Sequence, residues 1–586
     1  MKKFLATALS LGLACSTIPT SASAEPGKGN GSKVKHVLLI SIDGMHAVDY
    51  ENCLSADTCP NLATLGRNGV HYTRTTTSRP SDSFPGLMAL VTGGSPRTVG
   101  AYYDVAYDRV LAPPTTATGN GLPAGNCVEG VINGTQTEYE EGNEIDQSQL
   151  NGGFPGYSMI DGGVKSIDPN KLIRDPFNHC KPVYSWNSVR TNTIFGVIHA
   201  EGGYTAWSDK HAGYASVSGP TGTDQPSNVD DYYSPEVNSL QIVLPGIKTA
   251  APTPAASVDC GTIVPNGDDW TTDFDAIKCY DQLKVNAVVN WINGKKHLGN
   301  GKAPVPVIFG MNFQAVSVGQ KLISPKSAVR TDANSGGYQD AAGTPRPKML
   351  AEIQFVDAAI GQMLAALKHN DLIDSTAIII TAKHGQSPID PNRFFPIPGA
   401  SGTNGTPPSG IIPNFLPAVY SDPNNGLGLA EDDISQIWLA NSNNTTDAVT
   451  ALENAGTTIG LGQIYYGASL SAIFGAPGVP NHPGPCCQLR EGGDPRTPDI
   501  VVIPNYGVVY TGGLKKQSEH GGFAWDDTNV MLLVSYPGAH GGKTLHSFVE
   551  TAQVAPTVLQ LLGIDPDALD AVRREGTPVL PGLGLD

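Results

Sequence analysis

The chain has 586 residues, of which 54 are acidic and 37 basic, giving a formal net charge of −17. That balance excludes a general binder of nucleic acid or anionic membrane, although not a local anion pocket. Hydrophobic residues make up 40% and charged residues only 16%, and 68 glycines with 46 prolines mark many turns, so a loop-rich globular protein is expected rather than a disordered one.

At the start, Lys2 and Lys3 precede an apolar run from Phe4 to Ala14, and Ala22-Ser23-Ala24 offers a small-residue cleavage site. Residues 1–24 therefore read as a secretory signal peptide and 25–35 as a linker. No later stretch reads as the ~20 apolar residues of a membrane span. The expected product is secreted or periplasmic. Beyond Cys15 there are eight cysteines, an even number that reads as disulfides in an exported chain. Pairing between neighbours would join Cys53 to Cys59, Cys127 to Cys180, Cys260 to Cys279 and Cys486 to Cys487. Spacing alone leaves the connectivity open.

Short apolar runs follow at His36–Ile42, Thr193–His199, Val305–Met311, Thr376–Thr381, Asp499–Pro504 and Asn529–Ser535. Several are nearly continuous Val, Ile and Leu, as parallel strands covered on both faces require. Between them, Ala276–Asn293, Lys348–Lys368 and Phe548–Leu562 carry apolar residues at helical spacing. This alternation predicts an α/β fold: a doubly wound, mostly parallel sheet with helices on both faces. Residues 36–586 read as one discontinuous domain. Its polar, Gly- and Pro-rich insertions fall near 111–182, 213–270 and 400–485. The last encloses a small βαβ-like unit (434–439, 447–455, 462–466) that reads as a lid.

Ligands of open α/β sheets sit beyond the carboxyl ends of the strands. The first run ends in Asp43-Gly44, another in Lys383-His384-Gly385, and a third leads to Asn312 and Gln314. A carboxylate and an imidazole at two strand ends make a hard-metal or phosphate constellation. Ser83-Phe84-Pro85 reads as a helix start, where free N–H groups would hold a phosphoryl oxygen; an ordinary capping serine is the alternative. Asp209-Lys210-His211 follows another apolar stretch, and reads either as a substrate-binding cluster or as a solvated loop.

Taken together, Ile42-Asp43-Gly44, Ser83-Phe84-Pro85, Thr92-Gly93, Val356-Asp357, Lys383-His384-Gly385, Arg496-Thr497-Pro498-Asp499 and Glu519-His520-Gly521 resemble the nucleotide pyrophosphatase/phosphodiesterase branch of the alkaline phosphatase superfamily. The resemblance implies an alkaline phosphatase-like catalytic domain, one or two divalent ions, zinc by preference, and a small phosphate-ester substrate. It places Asp43, His384 and His520 as metal ligands, Ser83 as nucleophile and Asp104 and Gln320 around the substrate, where Lys210 and Gln314 join them from the reading of the strand ends. The departures are specific. Lys383 stands where the family has Asp, Gln320 where it has a ligand His, and Asp104 where it has an Asn that grips a phosphoryl oxygen. Lys383 would then supply fixed positive charge in place of lost ligands. The expected function is an exported, metal-dependent phosphate-ester hydrolase acting on a phosphodiester or nucleotide-like phosphoanhydride. The alternative is a catalytically silent member binding an anion or partner. A sulfatase is disfavoured because Leu87 stands where its Cys/Ser-x-Pro-x-Arg motif needs Arg.

Overall fold

The computed structural model describes residues 33–585 except 120–121, 140–141, 151–162, 239–245, 264–268, 325–332, 398–404, 419–429, 489–490, 512–515 and 540. The signal peptide and most of the linker lie outside the described residues. The strands of the main sheet are β1 (His36–Ile42), β2 (Gly69–Thr76), β3 (Thr205–Ser208), β4 (Asp231–Tyr233), β5 (Ile308–Phe313), β6 (Thr376–Thr381), β7 (Asn529–Ser535) and β8 (Lys543–Glu550). They lie in the order β8-β2-β7-β6-β1-β5-β3-β4. All run parallel except β7, which is antiparallel to both of its neighbours, β6 and β2.

Alternation along the central strands builds the two layers. Leu38, Ile40 and Ile42 of β1 face one core with Phe309, Met311, Ile378 and Ile380, under helices α2 (Phe274–Ile292) and α3 (Pro347–His369). Val37 and Leu39 face the other with Ile308, Ala377 and Ile379, under α1 (Ser83–Thr92) and α4 (Val554–Leu562). The expected α/β layering is present. By length and composition α3 could cross a membrane, contrary to the reading of the sequence, but it packs on α2 and the sheet as a core helix.

Three local expectations are corrected. Residues 193–199 form a helix, Ile194–Ala200, because Thr193 caps it by accepting the Gly196 N–H at 3.1 Å. The run 499–504 is a strand, Ile500–Pro504, but it belongs to a separate four-stranded antiparallel sheet with Ala430–Glu431, Ser435–Ile437 and Leu461–Tyr466. Residues 548–550 finish β8, and the helix starts only at Val554. Short buried apolar runs do not distinguish strand from helix by periodicity alone. Four disulfides join the cysteines in the neighbouring pairs.

Candidate active site

The ends of β1, β5 and β6, the start of α1 and the loops before β4 and β7 meet around a cavity of about 360 Å³. Asp43, Asp104, Lys210, Gln314, His384 and His520 line it, with Glu431 and Asp432 from the four-stranded sheet and Glu519, Lys321 and Lys516 on the outer side.

Local geometry fixes each group. Asp43 ends β1 in a tight turn whose next residue, Gly44, has φ +81°, a conformation that only glycine takes without strain. Its Oδ2 accepts amide N–H bonds from Asn312 (3.0 Å) and Gln314 (2.6 Å). Gln314 is itself anchored, since Asp281 of α2 accepts the backbone N–H groups of Gln314 and Ala315 at 2.8 Å each. Burial would raise the Asp43 carboxyl, but Lys383, His384 and Lys210 outweigh it and hold the group well below the usual carboxylate range.

Ser83 is the first residue of α1; Asp82, not Ser83, is its N-cap, in extended conformation. Gly86 lets the helix approach the turn after β6 so closely that a methyl there would clash with the Lys383 carbonyl oxygen. The Ser83 Oγ lies 3.2 Å from His384 Nε2 and 3.4 Å from Lys210 Nζ. His384 Nδ1 lies 2.9 Å from the Gly385 carbonyl, which only accepts. Nδ1 therefore carries a proton, and Nε2 is the ring nitrogen that faces both the serine hydroxyl and Asp43. Ser83 is fully buried, behind the two side chains that line the cavity.

Lys383 is not the ammonium that reaches the serine. It is fully buried, with Nζ 3.0 Å from Asp209 Oδ1 and 4.1 Å from the centre of the Tyr214 ring. Burial lowers its pKa against the opposing pull of Asp209 and Asp43. The solvated-loop reading of 209–211 fails, because Asp209 is wholly buried and also accepts from Trp207 Nε1 at 3.1 Å. Gln320 stands one layer behind the cavity. Its Nε2 donates to the Gly44 carbonyl (2.7 Å) and Tyr338 (2.8 Å), and its Oε1 accepts from Gln386 Nε2 at 2.5 Å.

Two groups were not singled out in the sequence. Asp82 accepts the Asp104 backbone N–H at 2.9 Å and stands 3.0 Å from His520 Nδ1, unaligned for a hydrogen bond. Burial pushes the Asp82 carboxyl up and the His520 imidazole well down, each toward its uncharged form. Its place directly before the helix-start serine was the available signal. Asp432 was the other, hidden in a loop-rich insertion. Asp357, by contrast, is a structural acceptor on α3, taking the Leu62 N–H at 2.8 Å.

The metal-ligand set does not close. Among the described residues no three His, Cys, Asp or Glu side chains gather closely enough to hold an ion. Asp43 and His384 approach to 3.7 Å, but Lys383 and Lys210 press on the same carboxylate and Gln320 has its oxygen engaged. A zinc site takes at least three protein donors. The residues present fall short of that.

The crossed-over, mostly parallel sheet with its strand-end cluster defines an α/β protein. A family model described as type I phosphodiesterase / nucleotide pyrophosphatase matches residues 37–124 and 333–528. Over those residues the chain is similar to this branch of the superfamily. Among curated proteins no sequence matches it. Among solved structures, murine ectonucleotide pyrophosphatase / phosphodiesterase 5 is similar, with 14% identity over 91% of this chain and 96% of its own and a TM-score of 0.48. An inactive form of it in complex with AMP gives the same values. The human protein shows 13% identity over 90% and 95%, with a TM-score of 0.46.

Proposed function

We propose that the protein is an exported hydrolase of phosphate esters, acting on a phosphodiester or nucleotide-like phosphoanhydride through Ser83. The observation that carries this reading is the hydroxyl on the tip of α1 held between His384 Nε2 and Lys210 Nζ. The family match supports the reaction class, and the four disulfides support export. The Ser83 Oγ–P bond forms as the bond from phosphorus to the leaving oxygen breaks. The serine proton passes to His384 Nε2 and on to the departing oxygen. Water then adds to phosphorus and gives up a proton to His384, the P–Oγ bond breaks, and that water proton passes to the Ser83 Oγ. Helix N–H groups and ammonium charge balance the phosphoryl oxygens.

The test is hydrolysis of a chromogenic phosphodiester, with mass spectrometry for phosphate on Ser83. A Ser83→Ala protein as fast as wild type sinks the nucleophile assignment. The full burial of Ser83 favours a second reading, a silent anion-binding cleft. Phosphate binding with no turnover of any phosphate ester would establish it.

A further inference from the structure

We propose that this cleft meets the phosphoryl group with fixed ammonium charge in place of divalent ions, and that Lys210 is the catalytic cation acting on Ser83. The inference rests on the reading of Ser83 as nucleophile and departs from the metal chemistry that the family resemblance implies.

Three observations carry it. The first is position: Lys210 lines the cavity and its Nζ stands 3.4 Å from the Ser83 Oγ, on the atom that a metal would otherwise polarise. An ammonium there stabilises a developing alkoxide and the oxygens of the transferring group as a point charge.

The second is construction. One buried carboxylate, Asp209, accepts the Lys210 backbone N–H at 2.9 Å and pairs with Lys383 Nζ through the same oxygen. One ring, Tyr214, lies near both ammonium groups, at 4.1 Å from Lys383 and 5.5 Å from Lys210. Asp209 and Tyr214 thus hold the two lysines side by side. Placing two lysines against one buried acid is costly unless each charge is matched, and here Asp43 and Asp209 match them.

The third is the replacement of the tie that a shared metal makes between strand ends. Gln320, at a lost ligand position, bridges the Gly44 carbonyl and Gln386, while the Gln386 N–H donates to His46 Nε2 at 3.0 Å. His46 in turn meets Asp49 at 3.0 Å and Tyr338 at 2.9 Å. This closed network joins the turn after β1 to the turn after β6 through hydrogen bonds alone.

The experiment strips the full chain with chelator, measures metal by mass spectrometry, and follows two readouts: phosphodiester turnover and calorimetric binding of inorganic phosphate. Expected are phosphate binding and turnover unchanged within about twofold at negligible metal content. Lys210→Ala should lose about 100-fold or more in kcat with an unaltered circular dichroism spectrum, and Lys210→Arg should recover part of it. Loss of both readouts on stripping, restored by added zinc or another divalent ion, overturns the inference while leaving Ser83 as nucleophile. Lys210→Ala at wild-type kcat and phosphate affinity overturns it as well. If the wild type hydrolyses nothing, the function reading fails separately and binding decides. Metal-free phosphate binding that disappears in Lys210→Ala sustains the ammonium site, and binding that requires metal, or none at all, overturns it.

Discussion

The floor and the outer wall of the cleft are both lined with buried charge, yet they behave oppositely. On the floor, Asp43 and Asp209 face Lys383 and Lys210, and Asp43 is held well below its usual range. On the wall, carboxylates crowd one another. Burial and the charge of Glu519 push Asp432 up to about 7, and burial with the neighbouring Asp527 carboxyl raises Asp433 well above its usual range. Glu519 alone is strongly neutralised, by Lys321 and by Lys516 at 2.6 Å. The lesson is that desolvation is similar in both places and the sign of the neighbours decides. The Asp43 carboxylate keeps its charge through the neutral range, whereas Asp432 changes its charge there.

The sharpest test of the floor is Ser83→Ala, expected to lower phosphodiester turnover about 1,000-fold or more with folding intact by circular dichroism. Next, Asp209→Asn leaves Lys383 buried without its carboxylate. It should destabilise the protein by about 3–5 kcal/mol in denaturant titration, and adding Lys383→Met should recover much of the loss. On the wall the effect is pH dependence. A carboxyl whose folded pKa is raised binds protons more tightly folded than unfolded, so its contribution to stability falls as pH rises from its ordinary range toward about 7. Asp432→Asn should flatten that slope in thermal melts, and should remove a rise in KM for an anionic substrate above neutrality. The smallest effect is expected from Lys516→Ala, whose half-exposed side chain pairs with Glu519: less than about 1 kcal/mol. A larger loss there would mean that the wall is built like the floor.

Much of this was legible in the chain. Apolar runs ending in Asp43-Gly44 and Lys383-His384-Gly385 mark strand ends because a buried parallel strand must be apolar throughout and its exit must turn. The two residues do meet, at 3.7 Å from Asp43 to His384. What could not be read was which lysine faces the serine. Lys383 and Lys210 come from loops 173 residues apart in sequence, and only the packing of Tyr214 and Asp209 assigns one to the interior and the other to the cavity. The run 499–504 was misplaced for a related reason: its composition satisfies either sheet, and only pairing with Ser435–Ile437 tells which. Asp82 was hidden by its neighbour, since an acid before a helix-start serine reads as a cap.

The lone reversed strand, β7, has a consequence for how the cleft is populated. In a sheet of uniform direction, one rim receives only residues that follow strands, and segments leading into strands are delivered to the far rim. Because β7 runs the other way beside β6, its approach segment arrives where the exits of β1 and β6 lie. His520 and Glu519, upstream of β7, therefore share a rim with Asp43 and His384. A single inverted element thus doubles the kinds of chain segment available to one mouth, and a hairpin exchange that restored uniform direction would carry the imidazole to the opposite side of the molecule.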